Sequence, residues 1–373
     1  FVPGAVPLAG RGCWRHLLAA AATVGGVGSP FDTHEVTNQP PPLVDYDVFA
    51  ADIALADAVA REGGDHATDE IGAVGRLAGS PEAQDWGRQA NANPPVLRTH
   101  DRYGHRLDVV DYHPDYHRLM TAALRHGLHA APWAEQRPGA HVVRAAKVLC
   151  WYQVDGGHIC PVSMTYASVP ALRHRPELAA RLEPKLASPV YDPANRPAED
   201  KPGVTVGMAM TEKQGGSDVR ANTTVAEPDG DDYRLVGHKW FCSAPMSDAF
   251  LMLAQAPGGL TCFLAPRWCP DGSRNPIRIQ RLKDKLGDRS NASSEIELAG
   301  VWATIVGEEG RGVPTIIEMV NHTRLDCVLG ATAIMRQGVA QATWHAHHRA
   351  TFGRTLDQHP LMATVLADLA VES

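Results

Sequence analysis

The hydrophobic period of this chain changes twice, and those changes limit its fold more than any other feature. Up to about Pro170 the apolar residues recur at helical spacing: Phe49, Ile53, Ala56 and Val59 within residues 46–62, and again within 116–126 and 141–154. Asp155-Gly156-Gly157 supplies a glycine stop for the last of these. Residues 184–202, rich in Pro, Asp and Asn, read as a linker. Short strand-like runs follow at 204–209, 233–242, 250–255, 261–265, 277–281 and 295–298, separated by Gly, Pro and Asp clusters. From Gly312 the helical period returns over 313–322 and 325–352, and 360–371 begins another helix. The expected fold class is therefore α+β. It has an N-terminal arm and α-helical domain over 32–203, a small antiparallel β-domain over 204–300, and the start of a C-terminal helical domain over 301–373.

Residues 1–31 stand apart. Arg11 and Arg15 precede Leu17-Leu18-Ala19-Ala20-Ala21-Ala22, a loose imitation of a secretory signal that is short and broken by glycines. The segment is expected to be a leader or disordered, outside the fold. The next residues, 33–43, contain Pro40-Pro41-Pro42, which excludes helix and favours an extended arm.

Composition narrows the function classes. A net charge of −7 with a pI near 6.2 offers no global basic field for nucleic acid. Seven cysteines form no CxxC pair, which fits reduced thiols in a cytoplasmic protein better than a disulfide framework or zinc site. No apolar run reaches the length of a membrane span.

Three clusters carry chemistry. Met210-Thr211-Glu212-Lys213-Gln214-Gly215-Gly216-Ser217-Asp218 follows a strand-like run that includes Met208. Adjacent glycines let backbone amides approach a bulky polar ligand, with Thr211 and Ser217 adding hydroxyls. A Gly-Ser turn is common by itself. Next, Lys239-Trp240-Phe241-Cys242-Ser243 ends a strand in a flat aromatic wall beside small polar groups, which suits a planar heterocycle or an ordinary β-core Trp. The third, Arg349-Ala350-Thr351-Phe352-Gly353-Arg354, closes a long helical run with two guanidinium groups. Such groups can fork onto pyrophosphate or simply cap a helix end.

In this order and spacing the clusters resemble the acyl-CoA dehydrogenase flavoprotein superfamily. Residues 33–43, 92–95, 207–224, 237–248, 281–295 and 323–330 look like its DNA alkylation-response branch. The resemblance implies a barrel-like middle domain and FAD as cofactor. Met208, Met210, Thr211, Gly215, Gly216 and Ser217 would line FAD, with Thr211 near the flavin N1 and C2 carbonyl. Trp240, Phe241, Cys242 and Ser243 would stand beside the isoalloxazine, Ser243 ranked above Cys242. Arg349, Thr351 and Phe352 would reach the FAD of a neighbouring subunit, implying a homo-oligomer, a tetramer in the full form. The implied reaction is α,β-dehydrogenation of an acyl-CoA thioester with hydride passing to flavin N5. Duplex DNA is implied as a partner of the full-length protein through a basic C-terminal region.

The base for that reaction is not among these residues. Where some relatives carry a Glu before an Arg, this chain has Thr323-Arg324, and Thr cannot act as a base near neutral pH. Asp326 lies close but reads as a solvated helix residue. The expected Glu lies beyond Ser373, so the chain reads as a fragment. The rival expectations are a flavin-bearing DNA-protection protein without turnover, or an inactive fragment. No metal is expected: His345 and His348 could share a helix face, but no carboxylate or Cys accompanies them at ligand spacing.

Overall fold

The computed structural model describes residues 31–373, so residues 1–30 of the expected leader, Cys13 among them, lie outside the described residues. Helices α1 (Ile53–Arg61), α2 (Thr68–Ala78) and α3 (Pro81–Ala92) lead to a hairpin of β1 (Val96–His100) and β2 (Arg106–Asp111). Then come α4 (Pro114–Arg125), α5 (Ala131–Ala134), α6 (Ala140–Tyr152), α7 (Ile159–Leu172) and α8 (Pro176–Leu186). Their apolar faces bury Ile71, Leu119, Val148 and Trp151 in one core.

Two expectations change here. Residues 46–52 are not helical, because the Asp47 carboxylate accepts the N–H groups of Phe49 and Ala50 and holds a local turn. Asp52 then caps α1 by accepting from Leu55 N–H at 3.1 Å. The hairpin was not expected. Its first strand, Val-Leu-Arg-Thr-His, has little apolar alternation, and its turn is built by Asp101, which accepts from Tyr103 and His105, with Gly104 at φ +87.

The middle region has seven strands: β3 (Val206–Ala209), β4 (Val225–Asp229), β5 (Asp232–Ser243), β6 (Ala249–Ala256), β7 (Gly259–Pro266), β8 (Ile277–Leu282) and β9 (Ser293–Ile305). The pairings β6-β4-β5-β9-β7 return to β6 and close a ring, with β3 added on β6 and β8 on β9. β3–β6 and β4–β6 are parallel, so the sheet is mixed where antiparallel pairing was expected. The long connection from β3 through residue 248 supplies the crossover that parallel pairing needs. β4 was missed because Val-Ala-Glu-Pro-Asp is short and polar. β9 runs to Ile305, past residue 300. Phe250, Phe263, Leu235 and Val301 fill the barrel.

Helix α9 (Gly312–His348) is one unbroken element. Thr323 and Arg324 had separated the two expected helical runs, but neither breaks a helix. His322 packs its ring on Trp133 and Tyr166 instead. α9 ends at His348, and the following residues form the small hairpin β10 (Ala350–Thr351) with β11 (Arg354–Thr355), before α10 (Pro360–Glu372). Leu172, Leu186, Leu251, Leu253 and Met319 pack together and join helices to barrel. Among the described residues no helix is long and apolar enough to cross a membrane. The six described cysteines are free thiols.

Candidate flavin site

The turn after β3 and the end of β5 meet directly. A bulge in the β5–β9 register between Lys239 and Cys242 releases the Trp240 N–H from the ladder. That N–H donates to the Thr211 carbonyl at 2.7 Å. Two of the three sequence clusters are thus brought together.

Beneath the turn lies a buried ion pair. Lys239 donates to Glu212 at 2.8 Å, both side chains being fully out of solvent, and also to the Leu253 carbonyl at 2.7 Å. Glu212 further accepts from the Thr224 hydroxyl and from the N–H groups of Thr223 and Thr224. Burial alone would raise this carboxyl; the hydrogen bond from Lys239, with those from Thr224 and Thr223, outweighs it and holds the carboxyl far below the usual range. Neither Glu212 nor Lys239 was singled out from the sequence, although each adjoins a residue that was.

Above this anchor the turn is tight. Glu212 and Gly215 exchange backbone hydrogen bonds, and Gly215 has φ +145. A Cβ on Gly216 would stand 2.5 Å from Thr211 Oγ1, so only glycine lets the chain fold back over Thr211. Met208, Met210 and Thr211 are half-buried, while Gly215 and Ser217 face solvent.

The β5 end divides its residues. Trp240 is half-buried, Phe241 is 48% exposed, and Ser243 is half-buried with its Oγ 2.9 Å from Ser293 Oγ. Cys242 instead enters the barrel core at 0% exposure, and burial pushes its thiol up to about 12. Burial raises the thiol of Cys160, at the start of α7, to about 11. Cations flank the aromatic wall. Lys283 Nζ lies 3.3 Å from the Trp240 ring centre and 4.6 Å from that of Phe241. Glu295 holds both Lys283 and Arg281 at 2.8 Å.

The third cluster lies elsewhere in the chain. Arg349 donates to the Asn38 carbonyl at 2.7 Å, Thr351 is exposed, and Phe352 is 97% exposed. None of the hydrogen bonds or ring contacts described for it reaches residues 208–217 or 240–243. His348 bonds the Trp344 carbonyl and His347 bonds Asp357, so the histidines on the α9 end serve different partners.

Asp326 is not a solvated residue. Arg144 grips it with two hydrogen bonds of 2.7 Å while donating to the Leu128 carbonyl, and the pair is 2–3% exposed. Its carboxylate oxygens are committed to that fork, which leaves no free base there.

Residues 38–193 match the profile of the adaptive response protein AidB N-terminal domain. Residues 207–301 match the acyl-CoA dehydrogenase middle domain, and 310–373 its C-terminal domain. The chain belongs to the acyl-CoA dehydrogenase superfamily, in the branch with the AidB-type N-terminal domain. It is 47% identical over 346 residues to the putative acyl-CoA dehydrogenase AidB of Escherichia coli K12, covering 92% of this chain and 64% of that protein. It is 31% identical over 306 residues to acyl-CoA dehydrogenase family member 11 of Caenorhabditis elegans, covering 78% and 49%. The chain thus spans about half to two thirds of these relatives' lengths. Among solved structures it resembles apo Bd2924 (TM-score 0.82, 28% identity, 89% of this chain and 68% of that one). It also resembles C. elegans ACDH-11 in complex with C11-CoA (TM-score 0.81, 28% identity, 96% and 61%).

FAD is the cofactor of this family, and the residues fit it. The Gly215-Gly216 turn folds back over Thr211, Thr211 and Ser243 offer hydroxyls, and Phe241 with Trp240 offers ring faces.

Proposed function

We propose that this chain supplies the flavin site of an AidB-like acyl-CoA dehydrogenase, which removes hydrogen across the α,β bond of an acyl-CoA thioester. The turn anchored by Glu212–Lys239 and tied to Trp240 carries the reading, because it holds Thr211 against the aromatic end of β5. When bound there, FAD supplies the hydride acceptor. Met208, Met210, Thr211, Gly215, Gly216 and Ser217 would form one side of its site; Trp240, Phe241 and Ser243 the other.

Each group has a physical task. The Thr211 hydroxyl would donate toward the flavin edge where negative charge collects, and Lys283 with Arg281, set over the Trp240 ring, would add positive charge. Phe241 would exclude water from one flavin face. Thr351 and Phe352, exposed here, and Arg349, half-buried on the Asn38 carbonyl, would meet the cofactor of a second copy in a homotetramer. The α-proton would be taken by a carboxylate other than Asp326, which is held by Arg144. An acyl-CoA ligand is supported by the similarity to ACDH-11, which was solved with C11-CoA. An alkylation-response role is supported by the match to the adaptive response protein AidB N-terminal domain, and the same reading takes duplex DNA as partner and a cytoplasmic setting.

The test is anaerobic titration of the flavin-loaded full-length protein with straight and branched acyl-CoAs. Bleaching of the visible flavin band is expected. A flavin that stays oxidised while the protein shifts duplex DNA would replace the dehydrogenase by the flavin-bearing DNA-protection protein.

A further inference from the structure

The extended arm ahead of α1 lies along the second half of α9. Arg336 pairs with Asp52 at 3.2 Å and donates to the Ala51 carbonyl at 3.0 Å. Trp344 Nε1 donates to the Pro41 carbonyl at 2.6 Å, and Arg349 Nη1 to the Asn38 carbonyl at 2.7 Å. The arm therefore runs antiparallel to the helix, and Asn38 meets the hairpin that follows it. Pro40-Pro41-Pro42 keeps the arm extended without internal hydrogen bonds.

Asn38 is the joint. Its Nδ2 donates to the Ala350 carbonyl and its Oδ1 accepts the Ala350 N–H, both at 2.8 Å. Ala350 lies in β10 opposite Thr355 of β11, so the Asn38 amide serves the other edge of β10 as a further strand would. Asn38 itself holds φ +57, a left-handed backbone that Asn tolerates better than most residues. One residue thus grips the Arg349 guanidinium with its carbonyl and the Ala350 backbone with its side chain.

The hairpin held in this way is strained. Phe352 and Gly353 join β10 to β11 at φ +52 and +80. Two-residue hairpin turns need positive φ at both positions, which suits Gly and costs energy for Phe. That conformation carries the Phe352 ring into solvent, where its contact is with the His359 ring, edge-on at 6.3 Å. Such a conformation persists when its surroundings fix it, and here β11 holds one side and Asn38 the other.

We infer that Asn38 is a positioning residue for a flavin held between two copies of the protein: it sets the direction in which Arg349, Thr351 and Phe352 meet the second copy's cofactor, without touching that cofactor itself. The inference rests on the reading above that these three residues reach a neighbour's FAD. A guanidinium binds pyrophosphate through a planar fork, so its orientation counts as well as its charge. The bond to Asn38 engages Nη1 and leaves Nη2 and Nε outside it.

The test is FAD titration of the flavin-free full-length protein, read by flavin fluorescence, with sedimentation velocity to follow assembly. Asn38→Gly keeps the left-handed backbone and the carbonyl but removes the side-chain amide. It should weaken FAD binding about fivefold, the scale of one net hydrogen bond, at an unchanged assembly and melting temperature. Hydrogen exchange at the Ala350 amide should quicken in the same variant before flavin is added. Arg349→Ala should weaken FAD by about tenfold or more, and the double variant should lose less than the product of the two, because both act through one contact. Wild-type FAD affinity in Asn38→Gly, a double variant equal to the product, or loss of the assembly in Asn38→Gly overturns this inference alone. Wild-type affinity in Arg349→Ala, or a wild-type protein that binds no FAD, overturns the neighbouring-copy reading together with it.

Discussion

Arg144 and Asp326, 182 residues apart, face each other through two parallel hydrogen bonds of 2.7 Å inside the helical core. Arg144 also lies 3.4 Å from the Tyr166 ring centre, so this guanidinium ties α6, α7 and α9 at one point. Asp326→Ala leaves it buried and unpaired, and the expected cost is about 3–5 kcal/mol. Arg144→Met with Asp326→Leu should recover most of that loss, because it removes both charges from the interior. Urea unfolding of the three variants measures this, and a stable single variant would contradict it.

Lys239→Met should do more than lower stability. It strands Glu212 under the turn that carries Thr211, so FAD affinity is expected to fall at least about tenfold, read by flavin fluorescence. The acid limb follows from the same pair. Glu212 sits below its ordinary value of 4.5, so its stabilisation is fully present above that pH and is lost as the pH falls toward the folded value. Glu212→Gln should flatten that limb in melting temperature measured against pH.

Gly216→Ala drives a methyl toward Thr211 Oγ1. The turn must open, and FAD binding is expected to weaken by about tenfold or more, with the barrel's far-UV spectrum intact. Gly287→Ala, whose Cβ meets nothing within 4 Å, serves as the control and should leave binding unchanged.

Cys242 and Ser243 are neighbours with opposite fates, and their variants should separate. Cys242→Ser buries a hydroxyl in the barrel core and should cost about 1–3 kcal/mol while leaving the flavin spectrum in place. Ser243→Ala should cost little stability and shift the flavin absorbance. The reverse pattern would put Cys242 at the ring.

Much of the architecture could be read from the chain because it is written in short-range pattern. The switch from helical to strand period, the Gly215-Gly216 turn and the Trp240-Phe241 wall are all contiguous signals. What escaped reading depends on pairing across distance. Glu212 and Lys239 are 27 residues apart and become partners only because the β3 turn lies against the β5 bulge. Asp326 looks like one polar residue on a helix until Arg144 folds in front of it. The β1–β2 hairpin escaped for a local reason: its Asp101 turn does the ordering, and its first strand has almost no apolar alternation.

The clasp between Asn38 and Ala350 has a consequence for the order in which the molecule assembles. Two hydrogen bonds of 2.8 Å join residues separated by 312 positions, and Trp344 donates to the Pro41 carbonyl beside them. At a ribosomal rate of about 5–20 residues per second, the arm waits roughly 15–60 s for its partner to be made. Its three consecutive prolines keep it extended and unpaired through that interval. Proteolytic susceptibility around Pro40–Pro42 should therefore fall only when the end of α9 has been synthesised, which makes the arm a clock for completion of the chain's long helix.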